Sequence, residues 1–127
     1  MKRIIITEEA PLPLGPYSQA IKSNNLVFVS GQIPVDPKTG EVVDGTLADQ
    51  TRQILNNIKA ILETADSGIN RIVKISVFMA NLSYFEEVNS VFSEFFAAEP
   101  PARETVEVSR LPKDVNIEIS CIAVADK

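Results

Sequence analysis

An arginine and a glutamate on the polar sides of two short strands are the best candidates for chemistry in this sequence. Arg103 directly follows Pro-Pro-Ala, and a proline ends a preceding element because it fixes φ and lacks an N–H. Side chains alternate from Ala102 to Val108, which predicts that Arg103 and Thr105 lie on the polar side of a strand. Glu118 takes the same kind of position in the last strand. The two residues could bind an anion and handle protons.

The composition excludes several kinds of catalytic device. The chain has no histidine and one cysteine, Cys121, so Ser-His-Asp and Cys-His arrangements, an internal disulfide and a cysteine-rich metal site are ruled out. The sequence also lacks glycine-rich dinucleotide and phosphate motifs and EF-hand spacing. We expect neither a metal nor a cofactor, so catalysis would rely on arginine, carboxylates, hydroxyls, backbone groups and water.

Size and charge predict one cytoplasmic domain, residues 1–127. A chain of 127 residues has the length of one ordinary domain, and its net charge of −5 disfavours binding to nucleic acid. No apolar run has the length that spans a bilayer, so we expect no membrane contact. The basic start of the chain is interrupted at Thr7-Glu8-Glu9, too early for a signal peptide.

Hydrophobic periodicity predicts six strands and two helices in the order β-β-β-α-β-α-β-β. The predicted strands are Ile4–Ile6, Pro16–Lys22, Leu26–Ser30, Arg71–Asn81, Arg103–Ser109 and Asn116–Ala125, and the predicted helices are Leu47–Ala65 and Tyr84–Ala97. In the fourth strand we expect one apolar side formed by Val73, Ile75, Val77 and Met79.

This order favours an α+β fold in which both helices pack on one face of a mixed sheet. The opposite face would carry Glu118 and Ser120 beside Ile122 and Val124. Such a face is too apolar to stay in water and too polar for a dry core. We therefore predict that it forms a wet interface between subunits.

Several segments resemble the Rid (reactive intermediate deaminase) family, in particular its RidA-like members, over nearly the whole chain. The matching segments are Gly15–Ala20, Ser30–Pro34, Pro101–Arg103, Leu111–Val115 and Ile117–Ile119. The resemblance implies a chorismate-mutase-like fold and a homotrimer with sites between subunits. It also implies cofactor-free hydrolysis of 2-iminoacids, such as 2-iminobutanoate and 2-iminopropanoate, to 2-oxoacids and ammonia.

The resemblance also implies roles for individual residues. Arg103 would bind the substrate carboxylate, and Glu118 and Tyr17 would join it in catalysis. The substrate-binding residues would further include Ser30, Gly31, Thr105 and Asn89, with Thr105 acting through its backbone carbonyl. Glu104 replaces the small residue usual in the family, and Thr105 stands where cysteine is frequent. Because side chains alternate, we expect Glu104 to point away from Arg103.

The chemistry fits these residue types, although other interpretations remain open. A guanidinium binds a carboxylate bidentately, and a glutamate can hold and deprotonate the water that attacks an already reactive imine. Without the family motif, Arg103 and Glu118 could form structural ion pairs, Tyr17 could be a packing residue and Asn89 a structural amide. The same pocket could also bind 2-oxoacids without turnover. A translation-inhibitor or ribonuclease activity is disfavoured by the negative net charge.

Overall fold

The computed structural model describes residues 1–126 and has the predicted element order. The strands are β1 (Lys2–Ile5), β2 (Ala20–Ser23), β3 (Leu26–Gln32), β4 (Ile72–Met79), β5 (Ala102–Glu107) and β6 (Ile117–Val124), and the helices are α1 (Leu47–Thr64) and α2 (Phe85–Phe95). Both helices lie on one face of a six-stranded sheet. The predicted α+β architecture is therefore confirmed.

The sheet order, β1-β2-β3-β6-β4-β5, puts β6 inside the sheet and β5 at one edge. All neighbouring strands are antiparallel except β4 and β5, which are parallel. A parallel pair needs a crossover connection, and α2 provides it. The edge strand that carries Arg103 is thus held on one side by β4 and covered on one face by α2.

The core lies between the sheet and α1, whose apolar stripe is fully buried. Its inward residues are Ile54, Leu55, Ile58, Ile61 and Leu62, and they face buried residues of β3 and β6. A capping box starts the helix: Thr46 Oγ1 accepts from the Asp49 N–H, and the Asp49 carboxylate accepts from the Thr46 N–H. Neither helix of residues 1–126 is long and apolar enough to cross a bilayer.

A bulge at the start of β4 overturns one predicted side-chain direction. The pairing register with β6 shifts between Ile72 and Lys74, so that Ile72 is buried and Val73 is 46% exposed. The prediction that Val73 shares the core side of Ile75 is therefore wrong. An inserted residue interrupts strict alternation, and nothing in the local apolar run Ile72-Val73 indicates which residue is the extra one.

The sheet face opposite the helices is uncovered in the single chain and carries the predicted mixture. Ile4, Phe28 and Val106 are 62%, 43% and 41% exposed, while Glu118 and Ser120 of β6 are half-buried on the same face. We call this surface the open face. Its apolar content makes it a candidate interface, in line with the sequence-based prediction.

The capping box generates a stability prediction. We expect Thr46→Ala to lower the free energy of unfolding by about 1 kcal/mol, because the Asp49 N–H loses its partner at the helix start. The measurement is urea unfolding at one fixed protein concentration. Thr64→Ala is the matched control, because its hydroxyl bonds the Ala60 carbonyl of the same helix and adds little. Equal stability of the two variants would contradict the role of the cap.

Candidate functional site

The predicted site residues fall into two separate clusters within one chain. The Arg103 cluster consists of Arg103, Thr105 and Asn89, at the edge strand β5 and on α2. The Glu118 cluster consists of Glu118, Tyr17, Ser30 and Gly31, around the end of β3. Each cluster adjoins its own cavity.

The two clusters lie on opposite sides of the sheet. Arg103 is in register with Ile75, which faces the helices, whereas Glu118 is in register with Phe78 on the open face. Residues in register on neighbouring strands share a face. The sequence thus predicted correctly which residues share a side within β5 and within β6. The side that carries Arg103 and the side that carries Glu118 nevertheless lie on opposite faces of the sheet. A structural ion pair between Arg103 and Glu118 of one chain is excluded by this geometry.

The Arg103 guanidinium is held by α2. Its Nη2 donates to Asn89 Oδ1 at 2.7 Å, and its central carbon lies 5.3 Å from the Phe85 ring centroid and 4.9 Å from that of Phe92. Both distances are within the range of a cation–π interaction. These contacts fix the plane of the guanidinium while leaving most of its five N–H donors available.

No carboxylate among residues 1–126 forms an ion pair with Arg103. Partial burial lowers the pKa of Arg103 from its ordinary value, yet an arginine remains charged at any physiological pH. The cation therefore carries a desolvation cost that no protein anion offsets. This arrangement is suited to binding an anionic ligand in the adjoining cavity, which Pro100 and Pro101 also line.

The neighbours of Arg103 along β5 behave as alternation predicts. Glu104 lies on the open face, where Ser76 Oγ donates to it and Lys74 Nζ lies 3.0 Å from its carboxylate. The hydrogen bond from Ser76 and the contact with Lys74 lower the pKa of Glu104. Thr105 shares the side of Arg103, and its Oγ1 is buried without a hydrogen-bond partner within residues 1–126. The acid at position 104 thus does not face the guanidinium.

A bulge in β3 creates the Glu118 cluster. The pairing with β6 runs from Val29↔Cys121 to Gln32↔Ile119, so that Ser30 and Gly31 occupy the space of one residue. Bulges re-aim side chains and are frequent beside active sites. Here the Ser30 N–H bonds the Gln19 carbonyl at 2.9 Å, and Ser30 Oγ donates to the Ser18 carbonyl at 2.6 Å.

Gly31 makes room for the Glu118 carboxylate. A Cβ at position 31 would overlap Glu118 Oε2 and would lie 2.8 Å from Glu118 Cδ, closer than real Cβ atoms come to a neighbouring atom. The carboxylate thus rests directly against the bulged backbone. Burial raises the pKa of Glu118 above its ordinary value, which makes it a better proton acceptor than an exposed glutamate.

The two hydroxyls of this cluster have different hydrogen-bonding capacities. The Tyr17 hydroxyl accepts from the Leu14 N–H at 3.1 Å, and its own proton remains available for donation. Ser30 already uses its proton on the Ser18 carbonyl, so its oxygen can only accept a further hydrogen bond. Tyr17 is therefore suited to donate to a ligand, and Ser30 to receive an N–H or a water proton.

Gln19 positions the loop that carries Tyr17, and the sequence analysis missed it. Its side chain is 2% exposed. Its Nε2 donates to the carbonyls of Thr7, Ala10 and Pro11, and its Oε1 accepts from the Thr7 N–H at 2.7 Å. The available signal was its place inside the matching segment Gly15–Ala20. Phe85 and Phe92, whose rings contact the Arg103 guanidinium, were not among the predicted site residues either.

The single cysteine and the possible metal ligands remain to be described. Cys121 is buried in the core, and burial raises the pKa of its thiol to about 12, so it is not a nucleophile at neutral pH. Residues 1–126 contain no group of three or more His, Cys, Asp or Glu side chains arranged to hold a metal ion.

Comparison with known proteins shows the family. A family model described as Endoribonuclease L-PSP matches residues 7–125. The chain belongs to this family, which is the Rid family of the sequence-based resemblance. Its fold is accordingly the chorismate-mutase-like α+β fold.

Relatives at high identity extend over the whole chain. A RutC family protein of Pyrococcus horikoshii is 57% identical over 97% of this chain and 98% of its own length. The 2-iminobutanoate/2-iminopropanoate deaminase of Escherichia coli is 50% identical, with 98% of each chain covered. Among solved structures, E. coli TdcF with bound serine has a TM-score of 0.92 and 43% identity, covering 98% of this chain and 99% of its own.

The close approach at Gly31 generates a prediction. If Glu118 is the proton acceptor predicted from the sequence, Gly31→Ala should displace its carboxylate and lower the rate of 2-iminoacid hydrolysis at least tenfold, because a misplaced proton acceptor loses its alignment with the reacting atoms. The unfolding midpoint should change little, since Gly31 has an ordinary backbone conformation. Ser23→Ala in β2 is the control for a small change in a strand. Normal turnover in Gly31→Ala would show that the position of Glu118 is unimportant.

Proposed function

We propose that this protein hydrolyses reactive 2-iminoacids, including 2-iminobutanoate and 2-iminopropanoate, to 2-oxoacids and ammonia without a cofactor. The observation that carries the proposal is the Arg103 guanidinium, which is oriented by Asn89 and two phenylalanine rings and has no carboxylate partner within residues 1–126. A 2-iminoacid supplies that carboxylate. The name of the E. coli relative supports the same reaction.

The proposed reaction divides the work between the two clusters. Arg103 binds the carboxylate of the substrate through parallel N–H donors. Glu118 takes a proton from a water as the water oxygen bonds to the carbon of the protonated imine, and the C=N electron pair moves to the nitrogen, which becomes a neutral amine. Glu118 then returns this proton to the nitrogen through the Tyr17 hydroxyl. The C–N bond breaks as the hydroxyl oxygen forms the carbonyl of the 2-oxoacid, Glu118 takes the hydroxyl proton and passes it to water, and ammonia leaves.

We propose that the active site is completed by a second copy of the chain. Arg103 and Glu118 of one chain lie on opposite sides of the sheet, so they cannot bind the same small molecule. The apolar open face supports association, and a closed ring of three identical chains would give three equivalent shared sites. The homotrimer implied by the resemblance is thus the assembly that we propose. The cytoplasmic location stays a sequence-based prediction.

Two other functions have less support. The description of the family names an endoribonuclease, but the net charge of −5 and the absence of histidine from the sequence disfavour RNA binding and the usual general acid–base catalysis. A module that binds small acids without turnover is favoured by the bound serine of E. coli TdcF. Assays of imine turnover separate such a binding module from the proposed hydrolase.

We expect Glu118→Gln to retain 2-oxoacid binding and to lose most turnover, because the amide cannot accept the water proton. In the unchanged protein, kcat/KM should fall as the pH falls through the Glu118 pKa, which burial raises above the ordinary value. The pH profile of Glu118→Gln should lack this fall in kcat/KM at low pH. Calorimetry with 2-oxobutanoate measures binding, and imine hydrolysis measures turnover. Joint loss of binding and assembly would instead indicate a structural role for Glu118.

We expect Arg103→Ala to lower kcat/KM by roughly a hundredfold to several thousandfold, since a partly desolvated bidentate pair is worth about 3–5 kcal/mol. Arg103→Lys should also be markedly impaired, because it keeps the charge but loses the planar fork. The matched control is Arg52→Ala, which removes an exposed arginine paired with Glu94. Near-normal hydrolysis by Arg103→Ala, with its solution mass unchanged, would leave the carboxylate anchor unassigned.

A further inference from the structure

A cavity of about 310 Å³ adjoins Glu118 and Gly31, and most of its wall is apolar. Three segments form this wall: the loop after β1, the loop after β3 and the turn before β6. Their apolar contributions include Pro11, Leu12, Leu14, Ile33, Val35 and Pro112. The volume is at the lower end of the roughly 300–1,000 Å³ range of small-molecule pockets. It exceeds what a methyl or ethyl side chain would fill.

Hydrogen bonds hold both loops of this wall in place. Gln19 anchors the first loop through the backbone of Thr7, Ala10 and Pro11, and the Tyr17 hydroxyl accepts from the Leu14 N–H. In the second loop the Val35 carbonyl accepts from the buried Asn57 Nδ2 at 2.9 Å. A wall that is fixed before the ligand arrives adds little ordering cost to binding.

Leu12 and Leu14 are 55% and 64% exposed at this cavity. Two leucines close together on a pinned loop offer apolar surface that a ligand can cover. Covering it is favourable in proportion to the area removed from water. The cavity adjoins the Glu118 carboxylate, which would deprotonate the water that attacks the imine carbon, so a group attached to that carbon can extend into the cavity.

We propose that this cavity takes the substrate side chain and that the protein prefers 2-iminoacids with apolar side chains of three or four carbons, such as those derived from norvaline and leucine. The inference rests on the proposed function and specifies its substrate class. Leu12 and Leu14 are then residues that determine specificity rather than residues that perform the chemistry. The other possible occupant, a loop of a second copy of the chain, is an outcome of the test below.

The first arm of the test measures kcat/KM over a series of side chains. An L-amino-acid oxidase generates the iminoacids in place from alanine, 2-aminobutanoate, norvaline and leucine. We expect kcat/KM to rise along the series, approaching fourfold for each methylene that becomes fully buried. A flat or falling series would overturn the proposal and would indicate that a loop of the partner copy fills the cavity.

The second arm assigns the preference to the cavity wall. Leu12→Ala/Leu14→Ala should flatten the series by lowering kcat/KM for the norvaline and leucine products while leaving the alanine product close to normal. The matched control is Leu82→Ala, an exposed leucine that does not line this cavity. An unchanged slope in the double variant would remove both leucines from substrate recognition.

The third arm separates this inference from the proposed function. Calorimetry with pyruvate, 2-oxobutanoate, 2-oxopentanoate and 4-methyl-2-oxopentanoate measures the same length dependence without turnover. If no imine is hydrolysed but affinity rises with side-chain length in a Leu12- and Leu14-dependent way, the proposed function fails and the apolar pocket stands. If imines are hydrolysed but neither affinity nor rate depends on length, the pocket assignment fails alone.

Discussion

The regular alternation of side chains on paired strands determines how a site can be built in this fold. It points Arg103 of β5 towards α2 and Glu118 of β6 towards the open face. The Arg103 guanidinium is consequently partly desolvated against Phe85 and Phe92, with no carboxylate partner within the described residues. A ligand anion would balance a cation in that state, and in the proposed reaction the carboxylate that acts on the ligand, Glu118, would come from another copy of the chain.

The Glu118 side of the site depends on a departure from that regularity. Gly31 in the bulge places no Cβ in the path of the Glu118 carboxylate, and the neighbouring Ser30 donates its proton to the Ser18 carbonyl, which leaves its oxygen as an acceptor. Gln19 then fixes the loop that brings Tyr17 and the apolar wall to the same carboxylate. The Gln19 side chain and the Ser30–Gly31 bulge thus position both the Glu118 carboxylate and the apolar wall beside it.

Periodicity was sufficient to predict the element order and the two-layer architecture, because the stripe of α1 and the strands of the core alternate clearly. It failed at Val73, where a bulge adds a residue, and it could not show that the polar sides of β5 and β6 face opposite ways. Strand order and relative face depend on long-range pairing that no local window contains. The family resemblance supplied the site residues, whereas the roles of Gln19, Phe85 and Phe92 required the three-dimensional contacts.

The shared site is tested most directly by mixing two inactive variants, Arg103→Ala and Glu118→Gln. In a ring of three chains, each mixed ring contains one interface with both residues intact. Equal mixing by dissociation and reassembly should therefore restore about a quarter of the unmodified hydrolysis rate. A mixture that stays as inactive as its components, although mass measurements show mixed assemblies, would contradict a site formed by Arg103 of one chain and Glu118 of another.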